Sequence, residues 1–286
     1  MKSQKTKKRT TRITKEVVFF GQFLQFIATS LASKFIIRLF QSPMRHQLPE
    51  REQVMFKSAI KEKIKIASIN KEIQVYKYGY SKQKVLLLHG WGGRGTQMFT
   101  IADQLLEHKR MVISIDGPSH GLSDGKRTNM VEFIESIKVI QEKYGPFEAA
   151  IGHSFGGMVL LKCAASFLDL NKLIVIGTAN DVQEIIHDLT KKLQLKVTTA
   201  NYVLQQLENK FKTPLETLTS SVSANTIKIP TLVIHDTDDK EVPVSCAYKI
   251  RQNLEYGKIL ITHKLGHQRI LKDNDVQEHI IDFLND

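Results

Sequence analysis

Residues 147–161 read FEAAIGHSFGGMVLL, and this stretch decides the fold of the chain. An apolar run is followed by a serine between glycines, and then by apolar residues at helical spacing. We interpret this order as a strand, a sharp turn and a helix. Ser154 stands at the centre of a G-x-S-x-G pattern, in which a strained turn projects the hydroxyl above a sheet. Gly152 and Gly156 fit this turn because a side chain at either position would collide where the chain segments come close.

The pattern on both sides of this stretch predicts a sheet between layers of helices. Short, unbroken apolar runs are typical of strands buried on both faces, and they occur at 85–88, 111–115, 149–151, 173–176, 232–234 and 259–261. Helical patterns separate these runs, at 97–108, 129–143, 155–167, 244–254 and 276–284. Strands that alternate with helices form a doubly wound, mostly parallel α/β sheet. Alternating residues in 59–80 predict an antiparallel hairpin at its edge.

One interval breaks the alternation of strands and helices. Residues 181–226 contain helical patterns and no strand-like run. Long connections after the carboxyl ends of such strands lie over the active-site face of the sheet. We therefore predict a helical cap at 181–226, with a helical ornament elsewhere on the surface as the alternative. The core is then expected to comprise residues 59–180 and 227–286.

The first residues of the chain are strongly basic. Seven of the 41 Lys and Arg residues lie within the first fifteen positions, which contain no acidic residue. Residues 1–16 are predicted to form a basic tail, which can bind phosphate backbones or anionic lipid headgroups. A solvated tail is the alternative. The rest of the chain resembles no RRM, zinc-finger or KH signature, so we expect no nucleic-acid partner.

Residues 17–58 are predicted to be an amphipathic helical segment. Its polar residues recur at spacings of three and four and lie opposite an apolar set: Gln22, Gln25, Thr29 and Ser33 against Phe20, Phe23, Leu24, Ile27 and Leu31. We expect a helix or helix pair in 17–40 that covers the domain or contacts a membrane surface. A membrane span and a cleaved signal peptide are the alternatives. We expect a cytoplasmic protein, membrane-associated through this segment if at all.

The overall composition is that of a globular protein, with 42% hydrophobic and 24% charged residues among 286. Two cysteines, Cys163 and Cys246, fall in helical patterns and have no metal-ligand or C-x-x-C spacing. We expect them to be reduced packing residues, and we predict no metal site.

Several stretches resemble the α/β-hydrolase superfamily, in particular its small serine esterases and lipase-like hydrolases. The likeness runs from about Lys84 to the C terminus. Residues 152–156 match the family's nucleophile elbow, and residues 89–93, HGWGG, resemble its HG-x-G motif. Residues 116–123, DGPSHGLS, resemble its D-x-P-G-H-G-x-S loop, with Ser119 where glycine is usual. The resemblance implies an α/β-hydrolase fold with a catalytic serine, acid and histidine in that chain order.

Candidates for the acid and the base follow Ser154 in this order. Residues 232–243, LVIHDTDDKEVP, resemble the family's acid loop, in which the acid stands three residues before a Val-Pro pair; this selects Asp239. Asp236 and Asp238 are less favoured acids, and a solvated turn or a helix N-cap is the alternative reading for such residues. His267 follows a glycine after the last strand, as in the family's catalytic-histidine loop, and is the expected base.

The resemblance also implies an oxyanion hole and an activity. Its two backbone N–H donors would belong to Phe155, the residue after the serine, and to Trp91 in the glycine-rich loop. The implied function is hydrolysis of small or lipid-like carboxylic esters through an acyl-enzyme, with Ser154 as nucleophile, His267 as base and Asp239 as its partner. No cofactor is required. A scaffold that carries these residues but binds a ligand without turnover is the alternative.

The glycine-rich loop fits a second kind of site as well. Gly90, Gly92 and Gly95 form G-x-G-x-x-G between a strand and a helix, and Asp116 ends the next strand. This arrangement is typical of dinucleotide binding, with the acid on the ribose hydroxyls. An oxidoreductase is therefore a further alternative, although it would leave the serine, acid and histidine unexplained.

Overall fold

The computed structural model describes residues 13–286. Residues 1–12 of the predicted basic tail lie outside the described residues, and the first helix begins at Lys15. The described chain forms two compact units, one of residues 13–40 with 183–212 and the other of residues 41–182 with 213–286. The α-helices, numbered in chain order, are α1 (Lys15–Ile27), α2 (Thr29–Phe40), α3 (Gln53–Ser58), α4 (Phe99–Glu107), α5 (Met130–Tyr144), α6 (Phe155–Ala164), α7 (Val182–Lys192), α8 (Val197–Phe211), α9 (Ser220–Ala224), α10 (Ser245–Gln252), α11 (Gly266–Arg269) and α12 (Asn274–Asn285).

The larger unit is built around one eight-stranded sheet. Its strands are β1 (Ile60–Ile66), β2 (Lys71–Tyr78), β3 (Lys84–Leu88), β4 (Met111–Asp116), β5 (Phe147–His153), β6 (Leu170–Ile176), β7 (Thr231–Asp236) and β8 (Gly257–Thr262). They lie in the order β1-β2-β4-β3-β5-β6-β7-β8. Strand β2 pairs antiparallel with both β1 and β4, and the remaining neighbours are parallel. The predicted doubly wound, mostly parallel sheet and its antiparallel edge hairpin are confirmed.

The unbroken apolar runs are the strands at the centre of this sheet. Every residue from Val85 to Leu88 in β3 is fully buried, and so is every residue from Leu173 to Ile176 in β6. Helices on both faces remove these strands from water, so no solvent-facing residue interrupts the run. On one face, Ile101 and Leu105 of α4 join Ile280 of α12 in a shared hydrophobic core. Cys163 and Cys246 are buried thiols that lie in α6 and α10, as predicted.

The smaller unit is helical and is formed from two separate parts of the chain. It contains α1, α2, α8 and residues 183–192 of α7. Ala28, in extended conformation, separates α1 from α2, so the helix pair expected in 17–40 is present. Within residues 13–286, no helix has the length and hydropathy needed to cross a bilayer.

The interval between β6 and β7 is helical, as its sequence indicates. Between residues 181 and 226 the chain forms α7, α8, a short 3-10 helix (Leu215–Leu218) and α9. Residues 183–212 of this interval belong to the smaller unit, and residues 213–226 belong to the larger one. The function of the interval as a cap over the active-site face stays a prediction.

Candidate active site

Ser154 occupies the sharp turn between β5 and α6. Its backbone has φ +53° and ψ −119°, a conformation that a residue with a side chain rarely adopts. Such a conformation costs on the order of 1–3 kcal/mol and persists where the surrounding structure imposes it. Its backbone N–H donates to the carbonyl oxygen of Ile176 at 2.8 Å, which holds the turn against the end of β6. The predicted strand, turn and helix are confirmed.

The two glycines of the motif are required by close packing. A Cβ on Gly152 would lie 2.7 Å from the backbone nitrogen of Gly157, inside the turn itself. A Cβ on Gly156 would lie 2.3 Å from the carbonyl oxygen of Leu88, at the end of neighbouring β3. Both distances are shorter than any ordinary carbon contact, so the steric prediction for these glycines is confirmed. The second collision involves a neighbouring strand in addition to the turn.

Asp239 and His267 form a hydrogen-bonded pair beyond the ends of β7 and β8. His267 donates Nδ1–H to Asp239 Oδ2 at 2.6 Å, and both side chains are almost completely buried. The other carboxylate oxygen, Oδ1, accepts from the backbone N–H groups of Glu241 and Val242 at 2.8 and 2.9 Å. With Nδ1 as the donor, Nε2 is the acceptor nitrogen of the neutral imidazole, which is the tautomer that a general base needs.

The charge of Asp239 is stabilised where it lies. Burial alone raises the pKa of this carboxyl, but the hydrogen bond and charge of His267, with the amides of Val242 and Glu241, outweigh burial and hold the pKa below its usual range. His235 lies 3.5 Å from Asp239 Oδ2 and donates Nε2–H to the carbonyl oxygen of Val242 at 3.0 Å. Burial lowers the pKa of His235, so it braces this loop as a neutral imidazole.

Asp236 connects the loop of the acid to the loop of the histidine. It is 1% exposed, and its two oxygens accept four hydrogen bonds of 2.7–3.0 Å. One donor is the N–H of Asp238, which follows β7. The others are the hydroxyl of Thr262, at the end of β8, and the N–H groups of Leu265 and Gly266, in the segment after β8. The solvated-turn reading of Asp236 is therefore wrong. Its carboxylate positions the segment that carries His267.

The residue before the serine contacts the histidine. His153 donates Nε2–H to the carbonyl oxygen of His267 at 3.0 Å, and the two ring centroids are 4.6 Å apart. Burial, followed by the nearby imidazole of His267, lowers the pKa of His153 to about 3, so it is a neutral donor.

Ser154, Asp239 and His267 lie at the carboxyl ends of β5, β7 and β8, on the same edge of the sheet.

The glycine-rich loop after β3 lies beside the serine. A Cβ on Gly90 would stand 3.0 Å from Ser154 Cβ. The N–H of Gly92 donates to His120 Nε2 at 3.0 Å, and His120 in turn donates Nδ1–H to the carbonyl oxygen of Pro118 at 3.0 Å. Burial lowers the pKa of His120 to about 4, which keeps Nε2 available as the acceptor. The backbone between Gly90 and Gly92, including Trp91, is therefore held next to Ser154.

The two predicted oxyanion donors are the backbone N–H groups of Trp91, in this glycine-rich loop, and of Phe155, at the start of α6. Phe155 is the first residue of α6, and the first amides of a helix have no partner within the helix. The Trp91 ring packs edge-on against the rings of Phe155 and His120, with centroids 5.2 and 5.3 Å apart. These positions are compatible with the predicted oxyanion hole. The role of His120 in holding the loop was not predicted, because the sequence does not show that two loops meet here.

The structure disfavours a dinucleotide at the glycine-rich loop. The Asp116 carboxylate is fully buried and accepts from the N–H groups of Gly95 and Leu122, both at 2.7 Å, and from the hydroxyl of Tyr76 at 2.9 Å. It is therefore engaged within the protein and does not face a ribose. In the part of the chain that the structure describes, no group of three or more His, Cys, Asp or Glu side chains is arranged to hold a metal ion.

Two family models match the sequence. One, described as alpha/beta hydrolase fold, matches residues 84–220, and the other, described as TAP-like protein, matches residues 200–286. Together they span the region from β3 to the last helix, where the resemblance was noted. A comparison with curated proteins finds no matching sequence.

Solved structures with similar folds include esterases and a phospholipase. An esterase from Exiguobacterium antarcticum is 18% identical, with a TM-score of 0.63 over 79% of this chain and 100% of its own. An esterase from Pyrococcus furiosus is 17% identical, with a TM-score of 0.65 over 86% and 97%. A membrane phospholipase A, described as a bacterial virulence factor, is 18% identical, with a TM-score of 0.63 over 93% and 97%. At these identities the likeness concerns the fold.

Proposed function

This chain belongs to the α/β-hydrolase fold superfamily, and on that premise we propose that it is a serine hydrolase that cleaves carboxylic esters. The observation that carries the proposal is the buried 2.6 Å hydrogen bond between His267 and Asp239. It fixes the imidazole tautomer that can take a proton from a serine, and the strained elbow supplies that serine at the same edge of the sheet.

The reaction proceeds in two steps. Ser154 Oγ attacks the ester carbonyl while His267 Nε2 takes the hydroxyl proton, and the carbonyl oxygen becomes an oxyanion held by the amides of Trp91 and Phe155. Collapse of this intermediate breaks the bond to the alcohol, which receives the proton from His267. Water then attacks the acyl-enzyme with His267 again as base, and the acid is released with Ser154 restored. Asp239 orients the imidazole and stabilises its positive charge in both steps.

Carboxylic esters are the proposed substrate class, and the test varies the length of the acyl chain. One of the similar structures is a membrane phospholipase A, so lipid esters belong in the substrate panel beside short-chain esters. The partly exposed Trp91 ring, edge-on to Phe155, provides an apolar surface next to the nucleophile for part of such a substrate.

The test is hydrolysis of p-nitrophenyl esters of graded chain length by the wild-type protein and by Ser154→Ala. We expect turnover by the wild type and a loss of about three powers of ten or more in kcat for the variant. Ser166→Ala, which removes an exposed hydroxyl just beyond the carboxyl end of α6, is the matched control and should retain activity. A fluorophosphonate probe should label the wild type and not Ser154→Ala. Absence of both turnover and labelling would favour the ligand-binding scaffold.

A further inference from the structure

The outward face of α1 is aromatic and apolar. Its members recur at spacings of one, three and four along the helix, and are exposed by 48–90%: Phe19, Phe20, Phe23, Phe26 and Ile27. We call this set the aromatic face. Phe20 packs edge-on against Phe35 of α2, with ring centroids 5.2 Å apart, and this contact holds the face in one orientation.

The opposite side of α1 makes the contacts that hold the helix in its unit. Gly21 is buried, with Phe35 and Leu195 adjacent to its Cα. Gln25 Oε1 accepts from the backbone N–H of Lys196 and from the hydroxyl of Thr199, both at 2.8 Å. An ordinary surface helix buries its large apolar residues and exposes its polar ones. Here Gly21 and Gln25 make internal contacts, while Phe19, Phe23 and Phe26 are at least half exposed and Phe20 is 48% exposed beside Phe35.

A contiguous apolar face of this kind marks a surface that another molecule covers. The sequence next to it indicates which molecule. Seven Lys and Arg residues, and no acidic residue, occupy the first fifteen positions, and the last of them, Lys15, is the exposed first residue of α1. Apolar side chains beside a cluster of cations complement the acyl boundary and the anionic headgroups of a bilayer. Two copies of this chain each carry a formal net charge of +12, and their mutual repulsion opposes a dimer through this surface.

We propose that the aromatic face and the basic residues 2–15 together bind the surface of an anionic lipid bilayer, with α1 lying along the interface. This inference goes beyond the ester hydrolysis proposed above and does not depend on it. Ser154→Ala should bind vesicles as the wild type does, so a failure of either proposal can be recognised separately.

The full chain is tested by sedimentation with vesicles of phosphatidylcholine alone and of phosphatidylcholine with about one third phosphatidylglycerol. We expect binding to the anionic vesicles that is about tenfold or more stronger than to the neutral ones. Salt at about 0.5 M should weaken it, because the screening length then falls below the roughly 10 Å found at 0.1 M.

Two sets of substitutions separate the apolar contribution from exposure in general. Phe19→Ser combined with Phe23→Ser and Phe26→Ser should reduce vesicle binding about tenfold or more. Tyr80→Ser with Tyr256→Ser removes side chains that are 88% and 56% exposed elsewhere, and this control should bind as the wild type does. If the triple variant does not fold, Phe26→Ser alone, at 90% exposure, gives the same comparison with a smaller change.

A second variant addresses the charge. Replacing Lys5, Lys7, Lys8 and Arg9 by Gln should remove most of the preference for anionic over neutral vesicles and most of the salt dependence. The proposal is wrong if the triple phenylalanine variant binds vesicles as tightly as the wild type. It is also wrong if the wild type binds neither kind of vesicle. One such case is a wild type that binds no vesicle but forms a dimer in lipid-free buffer, which the triple variant does not form. That last result would make the face a self-association surface.

Discussion

Two regions of the molecule reverse the usual distribution of polar and apolar side chains. At the carboxyl edge of the sheet, Asp236 and Asp239 carry charges in almost complete burial. Along α1, large apolar side chains face solvent. Each buried carboxylate is compensated within the protein, by backbone N–H groups and by Thr262 or His267. The exposed rings of the aromatic face gain no comparable stabilisation from water, because hydrating apolar surface is unfavourable.

The comparison indicates what each region does. Buried charge with internal partners costs desolvation and yields fixed geometry, which is what an active site needs. Exposed apolar surface yields no internal geometry, and its cost is removed when another surface covers it. Perturbing the first region should therefore change catalysis and stability. Perturbing the second should change association and leave the folded protein nearly as stable as before.

The largest effect is expected from Asp239→Asn. The amide cannot serve as the anionic acceptor of the His267 Nδ1–H, so the imidazole loses both its tautomer and the support for its positive charge. We expect kcat for a p-nitrophenyl ester to fall about 10³–10⁴-fold, in steady-state kinetics on the purified protein. Vesicle binding should be unchanged, which separates the two regions. A decrease of less than about tenfold would contradict the proposed role of Asp239.

Asp236→Asn should mainly lower stability. Hydrogen bonds to a charged group contribute about 1.5–3 kcal/mol each. In Asp236→Asn the NH₂ group would face hydrogen-bond donors that now bind a carboxylate oxygen, so we expect a loss of about 2–3 kcal/mol at pH 7 in urea unfolding. Asp238→Asn is the matched control in the same loop; it is less buried, accepts a bond from the Lys264 N–H, and should cost less. Equal losses for the two variants would contradict the role of Asp236 in connecting the loops.

The difference in unfolding free energy between the wild type and Asp236→Asn should depend on pH. Burial raises the pKa of Asp236, but hydrogen bonds from Gly266, Thr262 and Leu265 outweigh it, and the folded pKa lies below the ordinary value. The stabilisation is therefore present above the unfolded pKa and is lost as the pH falls through the folded one. The difference in unfolding free energy between wild type and Asp236→Asn should be largest near neutrality and shrink in acid. A difference that grows in acid would contradict this.

Gln25→Leu should have a smaller and local effect. The substitution leaves the Lys196 N–H and the Thr199 hydroxyl without their acceptor, at a cost of about 1–2 kcal/mol. Amide hydrogen exchange in the first turn of α8 should become faster. Gln22→Leu is the control, because its contact with Gln194 is exposed and long, at 3.3 Å. If exchange in α8 is the same in both variants, the polar side of α1 does not hold that helix.

The smallest effect on stability is expected on the aromatic face. Phe26→Ala removes a ring that is already 90% exposed, so the unfolding free energy should change by no more than about 0.5 kcal/mol. Phe20→Ala should cost about 1 kcal/mol, because that ring packs edge-on against Phe35. Urea unfolding of both variants measures the difference. A loss above about 2 kcal/mol for Phe26→Ala would mean that the aromatic face is part of the core.

Much of the fold was predictable because strands buried on both faces leave uninterrupted apolar runs. The run at 85–88 is β3 without its first residue, and the run at 232–234 lies within β7. The order of serine, acid and histidine placed the acid among Asp236, Asp238 and Asp239, and the resemblance to the family's acid loop selected Asp239. The structure pairs the side chain of Asp239 with that of His267. Their catalytic roles stay proposals.

Other features depend on contacts that local patterns do not record. Asp236 looks like a turn residue in sequence, and its burial follows from the neighbouring placement of the ends of β7 and β8. The spacing of apolar residues in 17–40 shows which of them share a side of a helix. It does not show that Gln25 would be directed towards α8 while Phe26 faces solvent, because that choice depends on a partner segment distant in sequence.

That separation in sequence has a consequence during synthesis of the protein. The smaller unit needs residues 13–40 and 183–212, and the whole of 41–182 is translated between them. At about 5–20 residues per second, these roughly 140 residues occupy the ribosome for on the order of ten seconds. Throughout that time α1 and α2 exist without α8, so the acceptor oxygen of Gln25 has neither the Lys196 N–H nor the Thr199 hydroxyl to bind. Until α8 has been translated, α1 and α2 therefore remain exposed or are bound by a chaperone or a membrane surface near the ribosome.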